Sequence, residues 1–302
     1  MALIDDARVM LDEERPAPPA PAPARRRSWR RPVATAAFHT TASIIAVLWV
    51  IPIVLVLLMS IRPFDDIASR GVGALPGSFT ATNYPNAWVT AGMGQALINS
   101  LMITIPTVIL SLALASLAAF GLSRYKIPFR RTILLIMLAG NLLPAQILLI
   151  PLVRIAEGAG IYDTLFAVII AQVALGLGFY TFVLYGFMRS IPTELQDAAS
   201  IDGAGVLRTY WQIILPLCRP ALAALGALSF TWIFNDLLLS LTLLRTDTNF
   251  PITAAVLSLM GQYGGQWNLI AAATVIAALP CVIVFLVFQR SFVGGLALGA
   301  VK

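Results

Sequence analysis

Charged residues are scarce in this chain. Of its 302 amino acids only 11% are charged and 59% are hydrophobic, whereas an average soluble domain is about 25% charged and about half apolar. This composition excludes a soluble enzyme. The net charge of +6 does not indicate a nucleic-acid partner either, because the basic residues flank apolar runs instead of clustering on a polar face.

The side chains that carry most chemistry are also rare. Lysine occurs only at Lys126 and Lys302, and neither follows a glycine, so the chain lacks the G-x-x-x-x-G-K-[ST] loop that cradles phosphates. His39 is the one histidine and has no cluster of metal ligands near it, which argues against a zinc site. Cys218 and Cys281 lack C-x-x-C spacing and fit small apolar core residues. With no nucleophile elbow or zinc-protease motif, we expect a chain that is not an enzyme and holds no cofactor. If ATP drives it, another chain binds the ATP.

The first 37 residues differ from everything that follows. An acidic start leads into a Pro/Ala run over Pro16–Ala24 and then into five arginines between Arg25 and Arg31. Such a segment favours polyproline II and buries nothing, so residues 1–37 are predicted to be a disordered tail. The order of its charges does not match a secretory signal. We expect the arginines to hold this end at cytoplasmic lipid headgroups.

Six apolar stretches follow, and each exceeds the ~18 residues that distinguish a membrane-spanning helix from a buried core helix. They are Phe38–Ile61, Gln95–Leu122, Thr132–Val153, Ile161–Met188, Leu217–Leu244 and Asn268–Gln289. Prolines inside them, such as Pro144, are tolerable in a membrane bundle. Glycines interrupt the stretch Pro251–Trp267, which predicts a loop with a short helix at the outer face.

Basic residues indicate the orientation. With the N-terminus in the cytoplasm, only Arg62, Arg70, Arg154 and Arg245 of the 20 lysines and arginines fall in outer segments, and the other 16 fall inside. The positive-inside rule favours this arrangement. The sequence therefore predicts that both termini are cytoplasmic.

The segment between the fourth and fifth stretches is unlike an ordinary membrane loop. It begins Ile191-Pro-Thr-Glu-Leu-Gln-Asp-Ala-Ala-Ser-Ile-Asp-Gly-Ala204 and ends Ile213-Ile-Leu-Pro216. Thr193 with Gln196 predicts a capping box that opens a helix over Glu194–Ile201, with Ala198 and Ala199 exposed.

The rest of this segment predicts a helical hairpin. Gly203 permits a sharp reversal, and a second short helix is predicted from Gly205 to Leu215, stopped by Pro216. A small-residue apolar helix presented to the cytoplasm suits insertion into a groove on another protein. From these residues alone, an amphipathic surface loop explains the pattern equally well.

The spacing in this segment resembles the EAA loop of ABC importer permeases, in which E-A-A is followed by three residues, G, nine residues and I-x-L-P. The matching positions are Asp197-Ala198-Ala199, Asp202-Gly203-Ala204, Ile213 and Leu215-Pro216, with Asp197 where the family usually has Glu. Further positions resemble the carbohydrate branch, the MalG-like permeases: Asn99-Ser100, Ile191-Pro192, Asn235-Asp236-Leu237, and the C-terminal run Gly299-Ala300-Val301-Lys302. Phe234 stands where relatives usually have Trp. The resemblance covers nearly all of residues 38–302.

The resemblance implies an all-α polytopic membrane protein with six transmembrane helices in the type I ABC importer permease (MetI-like) fold, both termini cytoplasmic, in a bacterial inner or plasma membrane. Residues 38–302 are the permease domain, with the coupling loop at 189–216 and a C-terminal cytoplasmic tail at 290–302. The implied partners are a second, homologous permease subunit, two ATPase subunits that carry ATP and Mg, an extracytoplasmic sugar-binding protein and membrane lipid.

The resemblance also implies a role for particular residues. Those that couple to the ATPase are Glu194, Asp197, Ala198, Ala199, Asp202, Gly203, Ala204 and Pro216. Those of the C-terminal tail that reach the ATPase interface are Gly299, Ala300, Val301 and Lys302. The loop of about Arg245–Trp267 touches the binding protein.

Polar residues inside apolar stretches are candidates for the substrate pathway, because they are costly in lipid and usually face the bundle or a cavity. They are Asn99, Asn141, Gln146, Asn235 and Asp236, with Gln172 as a further polar position. Interhelical hydrogen bonding is favoured over substrate contact for Asn141, Gln146 and Gln172. For Asn235 and Asp236, a role at an outer gate and a structural role are both open. Trp232 and Trp267 fit sugar stacking, although interfacial anchoring is the commoner use of tryptophan.

The function predicted from the sequence is half of the translocation pathway of an ATP-driven, binding-protein-dependent importer. Its substrate is a disaccharide or short oligosaccharide of the trehalose or maltose class, or alternatively glycerol-3-phosphate or its esters. A phosphate would favour arginine in the pathway, and no arginine lies deep in a stretch, which favours a neutral sugar. A secondary transporter, built from inverted repeats with midplane charges, or a channel would leave the cytoplasmic motif unexplained.

Overall fold

The computed structural model describes residues 30–141, 143–262 and 265–300, and these residues are mostly helical and contain no β-strand. The elements in chain order are α1 Arg30–Ser60, α2 Phe64–Arg70, α3 Asn83–Thr90, α4 Met93–Arg124, α5 Arg130–Gly140, α6 Ala145–Gly158, α7 Leu165–Ser190, α8 Glu194–Ile201, α9 Val206–Thr209, a π-helical turn Tyr210–Ile214, α10 Leu215–Leu217, α11 Arg219–Phe234, α12 Leu238–Leu243, a 3-10 turn Asp247–Asn249, α13 Ile252–Gln262 and α14 Trp267–Ala300.

The chain divides into two compact units, Met1–Pro52 and Ile53–Lys302. In the first unit every side chain from Thr35 to Pro52 is exposed, although most of them are apolar. A helix that is apolar all round is typical of a membrane span. Of the predicted tail, residues 1–29 lie outside the described residues, and residues 30–37 form the first turns of α1.

Four helices in the described part of the chain are long and apolar enough to cross a membrane. They are Thr35–Ser60, Met93–Arg124, Leu165–Ser190 and Trp267–Gln289. A fifth span is possible if Val206–Leu217 and Arg219–Phe234, which meet at 72°, are counted together. Length and composition thus support four or five spans and do not by themselves reach the predicted six.

The third predicted span, Thr132–Val153, is wrong as a single helix. α5 ends at Gly140 and α6 begins only after Pro144, which has non-helical backbone angles (φ −56°, ψ 122°). A proline provides no N–H and disfavours helical angles in the residue before it. Pro144 therefore ends the break between two helices instead of lying within one.

The fifth predicted span, Leu217–Leu244, is also interrupted. α11 ends at Phe234, and the carboxylate of Asp236 accepts the backbone N–H of Ser240 in the first turn of α12 at 3.2 Å. This bond satisfies one of the free N–H groups in the first turn of α12, although Asp236 lies one residue before the N-cap residue Leu237, which makes no side-chain cap bond. The predicted short helix within Pro251–Trp267 is confirmed as α13.

Helices α4 and α7 form the centre of the second unit, with α11 packed on α4 and α5 packed on α7. Gly178 lies where α5 crosses α7. A Cβ added there would collide with the backbone carbonyl oxygen of Met137 and lie 2.7 Å from Nδ2 of Asn141. The two helices approach this closely because residue 178 has no side chain.

A buried polar network holds together the segment between α1 and α3. Arg62 is only 1% exposed, pairs with the carboxylate of Asp66 at 2.7 Å and donates to the carbonyl of Ala74 at 2.9 Å. Asn83 donates to the carbonyls of Ser60 and Arg62 at 2.9 and 2.8 Å. A buried guanidinium requires such partners, so the network fixes the loop that follows α1.

Candidate functional site

The motif segment, residues 189–216, contains α8 with the predicted bounds Glu194–Ile201. The capping box predicted at its start is wrong. Thr193 has helical backbone angles and its side chain makes no cap hydrogen bond, whereas a side-chain cap requires an extended residue. Instead, the Thr193 carbonyl accepts the N–H groups of Gln196 and Asp197 at 2.9 and 3.1 Å.

The predicted reversal at Gly203 is confirmed. This residue has φ +76°, and the N–H of Gly203 donates to the carbonyl of Ser200 at 3.1 Å while the N–H of Ala204 donates to Ala199 at 2.9 Å. These two bonds form a Schellman motif, which satisfies the last carbonyls of α8 and turns the chain sharply. The left-handed angle accounts for the glycine.

Large apolar side chains of the motif segment are exposed. Ile201, Leu207 and Trp211 are 87%, 70% and 60% exposed, and Leu195 and Val206 are also exposed. We call these five residues the apolar patch. Burying such a side chain is worth about 1.5–3 kcal/mol, so leaving several exposed on one short segment marks an interaction surface.

The exposure of the small and acidic residues follows from the orientation of α8. Ala198 is exposed as predicted, but Ala199 is only 5% exposed, so the prediction that both are exposed is wrong. Successive helical residues point about 100° apart, and the face that turns Ala198 outward turns Ala199 inward. Glu194, Asp197 and Asp202 are exposed, and none of them forms an ion pair within the described residues.

Two contacts with α4 hold the motif segment at its beginning and end. Arg124 donates to the carbonyls of Met188 and Ile191 at 2.6 and 3.1 Å. Tyr210, 2% exposed, pairs its hydroxyl with that of Ser116 at 2.7 Å. Ser116 and Arg124 are eight residues apart and share one face of α4. The sequence reasoning missed these anchors, and the two polar residues at helical spacing near the end of α4 were the available signal.

The second helix of the motif segment bends instead of stopping at Pro216. The N–H of Leu215 bonds to the carbonyl of Tyr210, five residues back, which makes a π turn. Pro216 lies in the first turn of α10, where a missing N–H is tolerated. The helical run ends after Leu217 and meets α11 at 72°. The helical run therefore ends two residues beyond the predicted Leu215, and π turns of this kind are frequent at functional sites.

Asn99 and Ser100 bind the chain between α12 and α13. Asn99 is 3% exposed and its Nδ2 donates to the carbonyls of Thr248 and Phe250 at 2.7 and 3.1 Å. The hydroxyl of Ser100 accepts the N–H of Ile252 at 2.8 Å. In this structure Asn99 faces protein, while its role in the pathway stays a prediction.

The remaining pathway candidates are divided between two places. Asp236 is half-buried, and its carbonyl accepts the hydroxyl of Thr253 at 3.1 Å. Asn235 is exposed and donates to the carbonyl of Thr231 at 2.8 Å. Asn141 and Gln146 are exposed at the break between α5 and α6. Asn99 thus contacts the chain between α12 and α13, Asp236 contacts α13 itself, Asn235 bonds within its own helix turn, and Asn141 and Gln146 lie at the α5–α6 break.

Asp163 also binds the chain between α12 and α13. It has left-handed backbone angles (φ +59°), and its carboxylate accepts the N–H groups of Arg245 and Thr246 at 2.8 and 3.0 Å and the Thr246 hydroxyl. Nδ2 of Asn249 donates to its carbonyl at 2.9 Å. The backbone N–H of Arg245, more than any other donor, holds the pKa of Asp163 well below its usual range.

Replacing Asp163 with Asn should lower the thermal unfolding midpoint of the purified chain by several degrees at pH 7. Because the pKa is lower in the folded state, the carboxylate stabilises the fold fully above its unfolded pKa of about 3.8, and this contribution declines below that value and is lost as the pH falls through the lower folded-state pKa. The deficit of the variant should therefore shrink at about pH 3. Asn suits left-handed angles, so the substitution leaves the backbone unstrained while it removes the charge and one acceptor oxygen.

The control for this prediction is Glu157→Gln, which neutralises an exposed carboxylate on α6 and should leave the midpoint unchanged at both pH values. If Asp163→Asn lowers the unfolding midpoint equally at pH 7 and pH 3, the hydrogen bonds of Asp163 do not depend on its charge.

The described residues contain no metal centre, and the predicted contact of the C-terminal tail with an ATPase involves residues at or beyond their end. Among them, no group of three or more His, Cys, Asp or Glu side chains is placed to hold a metal ion. Gly299 and Ala300 are the last residues of α14, and Val301 and Lys302 lie outside the described residues.

Comparison with known proteins gives matches over most of the chain. Residues 111–297 match the family described as binding-protein-dependent transport system inner membrane component. The chain is 32% identical to the melibiose/raffinose/stachyose import permease protein MelC of Bacillus subtilis, over 86% of this chain and 94% of that protein. It is 31% identical to the diacetylchitobiose uptake system permease protein NgcG of Streptomyces coelicolor, over 87% and 88% respectively. Its fold is similar to a bacterial ABC transporter involved in the import of the acidic polysaccharide alginate, with a TM-score of 0.77, 22% identity, and coverage of 88% of this chain and 98% of that one.

Proposed function

Because the chain belongs to the family of binding-protein-dependent transport system inner membrane components, we propose that it is one of two membrane-spanning subunits of an ATP-driven importer for a neutral disaccharide or short oligosaccharide. It forms half of the translocation pathway together with a second, homologous permease. Two separate ATPase subunits bind ATP, and an extracytoplasmic protein delivers the sugar.

The observation that carries this proposal is the motif segment. Its EAA spacing is accompanied by an exposed apolar patch and three exposed carboxylates, which suit a groove on another protein with an apolar floor and a basic rim. Arg124 and Tyr210 tie the segment to α4, so a displacement of the docked helix reaches the bundle through those contacts. A transporter that works alone has no use for such a surface.

We propose a six-span topology in a bacterial inner membrane, with the N- and C-termini in the cytoplasm. In this arrangement α5 and α6 together make the third crossing, and α11 with α12 makes the fifth. The distribution of lysine and arginine supports the orientation. Broken helices are tolerated at membrane depth where they line a cavity or are covered by protein, which makes both breaks candidates for the lining of the pathway.

Two observations support a neutral sugar as the substrate: the substrates for which relatives are named, and the absence of arginine among the candidate pathway residues. The relatives similar over most of the chain include permeases named for melibiose, raffinose, stachyose and diacetylchitobiose, all of which are short saccharides. Along the candidate pathway, the described polar residues are amides and one carboxylate, with no arginine. A phosphate ester would favour arginine, so glycerol-3-phosphate is the weaker candidate.

The test of this proposal is a pull-down of the full chain from native membranes in a gentle detergent, with its partners identified by mass spectrometry. Recovery of a second permease, an ATPase and a binding protein is the expected result, and titration of that binding protein with neutral sugars and with glycerol-3-phosphate then identifies the substrate. If the chain is recovered alone while other membrane complexes survive the same treatment, the importer proposal is wrong.

Leu207→Asp should lower recovery of the ATPase in this pull-down about tenfold or more. Burying a carboxylate without a partner in an apolar contact is unfavourable. The variant therefore loses the favourable burial of Leu207, and its charge opposes docking. Leu75→Asp is the matched control, because Leu75 is 81% exposed but lies in the loop between α2 and α3. Equal loss of the ATPase in both variants would mean that the apolar patch is not the docking surface.

A further inference from the structure

A cleft with a volume of about 520 Å³ lies between the last turns of α6 and the end of α12. Three of the side chains that line it are apolar, two carry opposite charges and one is a hydroxyl. They are Leu149, Ile150, Val153, Arg154, Glu157 and Thr242. Neither the motif segment nor any of the candidate pathway residues lines this cleft, so the function proposed above does not use it.

The two charged side chains of the cleft do not pair with each other. Arg154 and Glu157 lie three residues apart on α6 and both are exposed. Side chains at this spacing are close enough to interact, yet neither forms an ion pair within the described residues. Glu157 also lies in the last turn of α6, where the negative end of the helix dipole disfavours a carboxylate. Both the carboxylate and the helix end therefore attract a cation, while the guanidinium of Arg154 is available to an anion.

Thr242 adds a hydrogen-bond acceptor to the cleft. Its hydroxyl donates its one proton to the carbonyl of Leu238 at 2.7 Å, and the oxygen keeps lone pairs with which to accept. The carbonyl of the next residue, Leu243, accepts the N–H of Asp163 at 3.0 Å, which ties the end of α12 to the loop that follows α6. An ionised carboxylate also only accepts. Glu157 and Thr242 together therefore suit a ligand cation that carries N–H groups.

The order of these groups along α6 matches the order of groups in a phospholipid. The apolar residues Leu149, Ile150 and Val153 come first, and Glu157 lies about 4.5 Å nearer the helix end than Arg154, from a rise of about 1.5 Å per residue. In the topology proposed above, the end of α6 lies at the outer membrane surface and the rest of the helix lies in the bilayer. The acyl chains, the phosphate and the amine of a phospholipid follow one another in the same direction.

We propose that this cleft binds phosphatidylethanolamine of the outer leaflet. The guanidinium of Arg154 binds the lipid phosphate, a pairing that arginine makes with good geometry, and the primary ammonium donates to Glu157 and Thr242. An acyl chain covers the apolar wall. Phosphatidylcholine has no N–H to donate, and phosphatidylglycerol has no cation for Glu157, so the cleft distinguishes between headgroups. The position of the cleft at the membrane surface rests on the proposed topology, whereas the choice of headgroup rests on the side chains that line the cleft.

The test uses the full-length chain, delipidated in detergent and mixed with equimolar dioleoyl lipids that carry ethanolamine, choline or glycerol headgroups. Native mass spectrometry measures how much of each lipid binds. The unmodified chain should bind phosphatidylethanolamine about tenfold more than the other two, a ratio that one hydrogen bond to a charged group provides. Glu157→Gln should bring this ratio close to one, because it removes the charge that attracts the ammonium. Arg154→Gln should weaken the binding of all three lipids, because each carries a phosphate.

Arg245→Gln and Asp247→Asn are the matched controls. Both residues are exposed and lie in the chain that follows α12, and neither lines the cleft. The two control variants should bind the three lipids as the unmodified chain does. In detergent without lipid, all four variants should unfold within a few degrees of the unmodified chain, so that a loss of binding in the cleft variants is not a loss of the fold.

Three results would overturn the proposal. Equal binding of the three lipids by the unmodified chain would show that the cleft does not recognise the ethanolamine headgroup. The same loss of selectivity in the cleft variants and the controls would assign it to general surface charge. If glycerophosphoethanolamine, the same headgroup without acyl chains, displaces the lipid at equal concentration, the ligand is a soluble phosphate ester. Because lipid binding is measured on the isolated chain, each of these failures leaves the importer proposal and its pull-down unaffected.

Discussion

Replacing Gly203 with valine is expected to abolish sugar uptake while the chain still inserts and folds. The residue adopts φ +76° in the Schellman turn that ends α8. A side chain in this region costs about 1–2 kcal/mol, with β-branched residues at the upper end. A penalty of about 2 kcal/mol shifts the equilibrium between the native turn and its alternatives roughly 30-fold toward the alternatives. Because the turn sets the direction of α8 relative to α9, the apolar patch loses the arrangement that docking requires.

The space around Gly203 does not account for this effect. A Cβ at Gly203 would meet no heavy atom within 4 Å, and the same holds at Gly205. Gly205 has φ −67° and ψ 167°, which valine adopts easily, so Gly205→Val is the matched control and should transport normally. The measurement is uptake of labelled sugar into cells or proteoliposomes at equal chain abundance. Normal uptake by Gly203→Val would refute the role assigned to the reversal.

Replacing Gly178 with valine is expected to destabilise the whole second unit. The new Cβ would collide with the backbone carbonyl oxygen of Met137, and a backbone atom cannot move aside as a flexible side chain does. Overpacking of this kind costs about 3 kcal/mol. Helix α5 must then separate from α7, so we expect a much lower yield of monodisperse protein and a fall in the thermal unfolding midpoint of the material that remains.

Gly186→Val is the control for this prediction. Gly186 lies on the same helix, and a Cβ there would meet nothing within 4 Å, so the variant shares the change in helix propensity without the collision. Its midpoint should stay within a few degrees of the unmodified chain. If Gly178→Val behaves like Gly186→Val, the close approach of α5 and α7 does not contribute to stability as the structure indicates.

Local signals in the sequence predicted the features that depend on neighbouring residues. The bounds of α8, the reversal at Gly203 and the short helix α13 were all found. These follow from propensity, from a left-handed angle that glycine adopts readily, and from proline and glycine placed close by. The family was identified from the spacing of one loop, because that spacing is visible in neighbouring residues of the sequence.

Other features needed the tertiary structure. The burial of Ala199 depends on which face of α8 meets the protein, and helical periodicity does not indicate that face. The breaks in the third and fifth predicted spans depend on whether bundle contacts satisfy the backbone around Pro144 and Asp236. Hydropathy counts apolar residues and does not register such contacts.

The sequence by itself determined that this is an all-helical membrane chain with an EAA-type loop, because composition and short-range spacing specify both properties. Only the tertiary structure decided how that loop is held and where polar groups meet. Ser116 and Tyr210 are 94 residues apart, and Asn83 and Asn268 are 185 apart. Contacts across such separations arise from the packing of whole helices, and no local pattern encodes which residues will face each other.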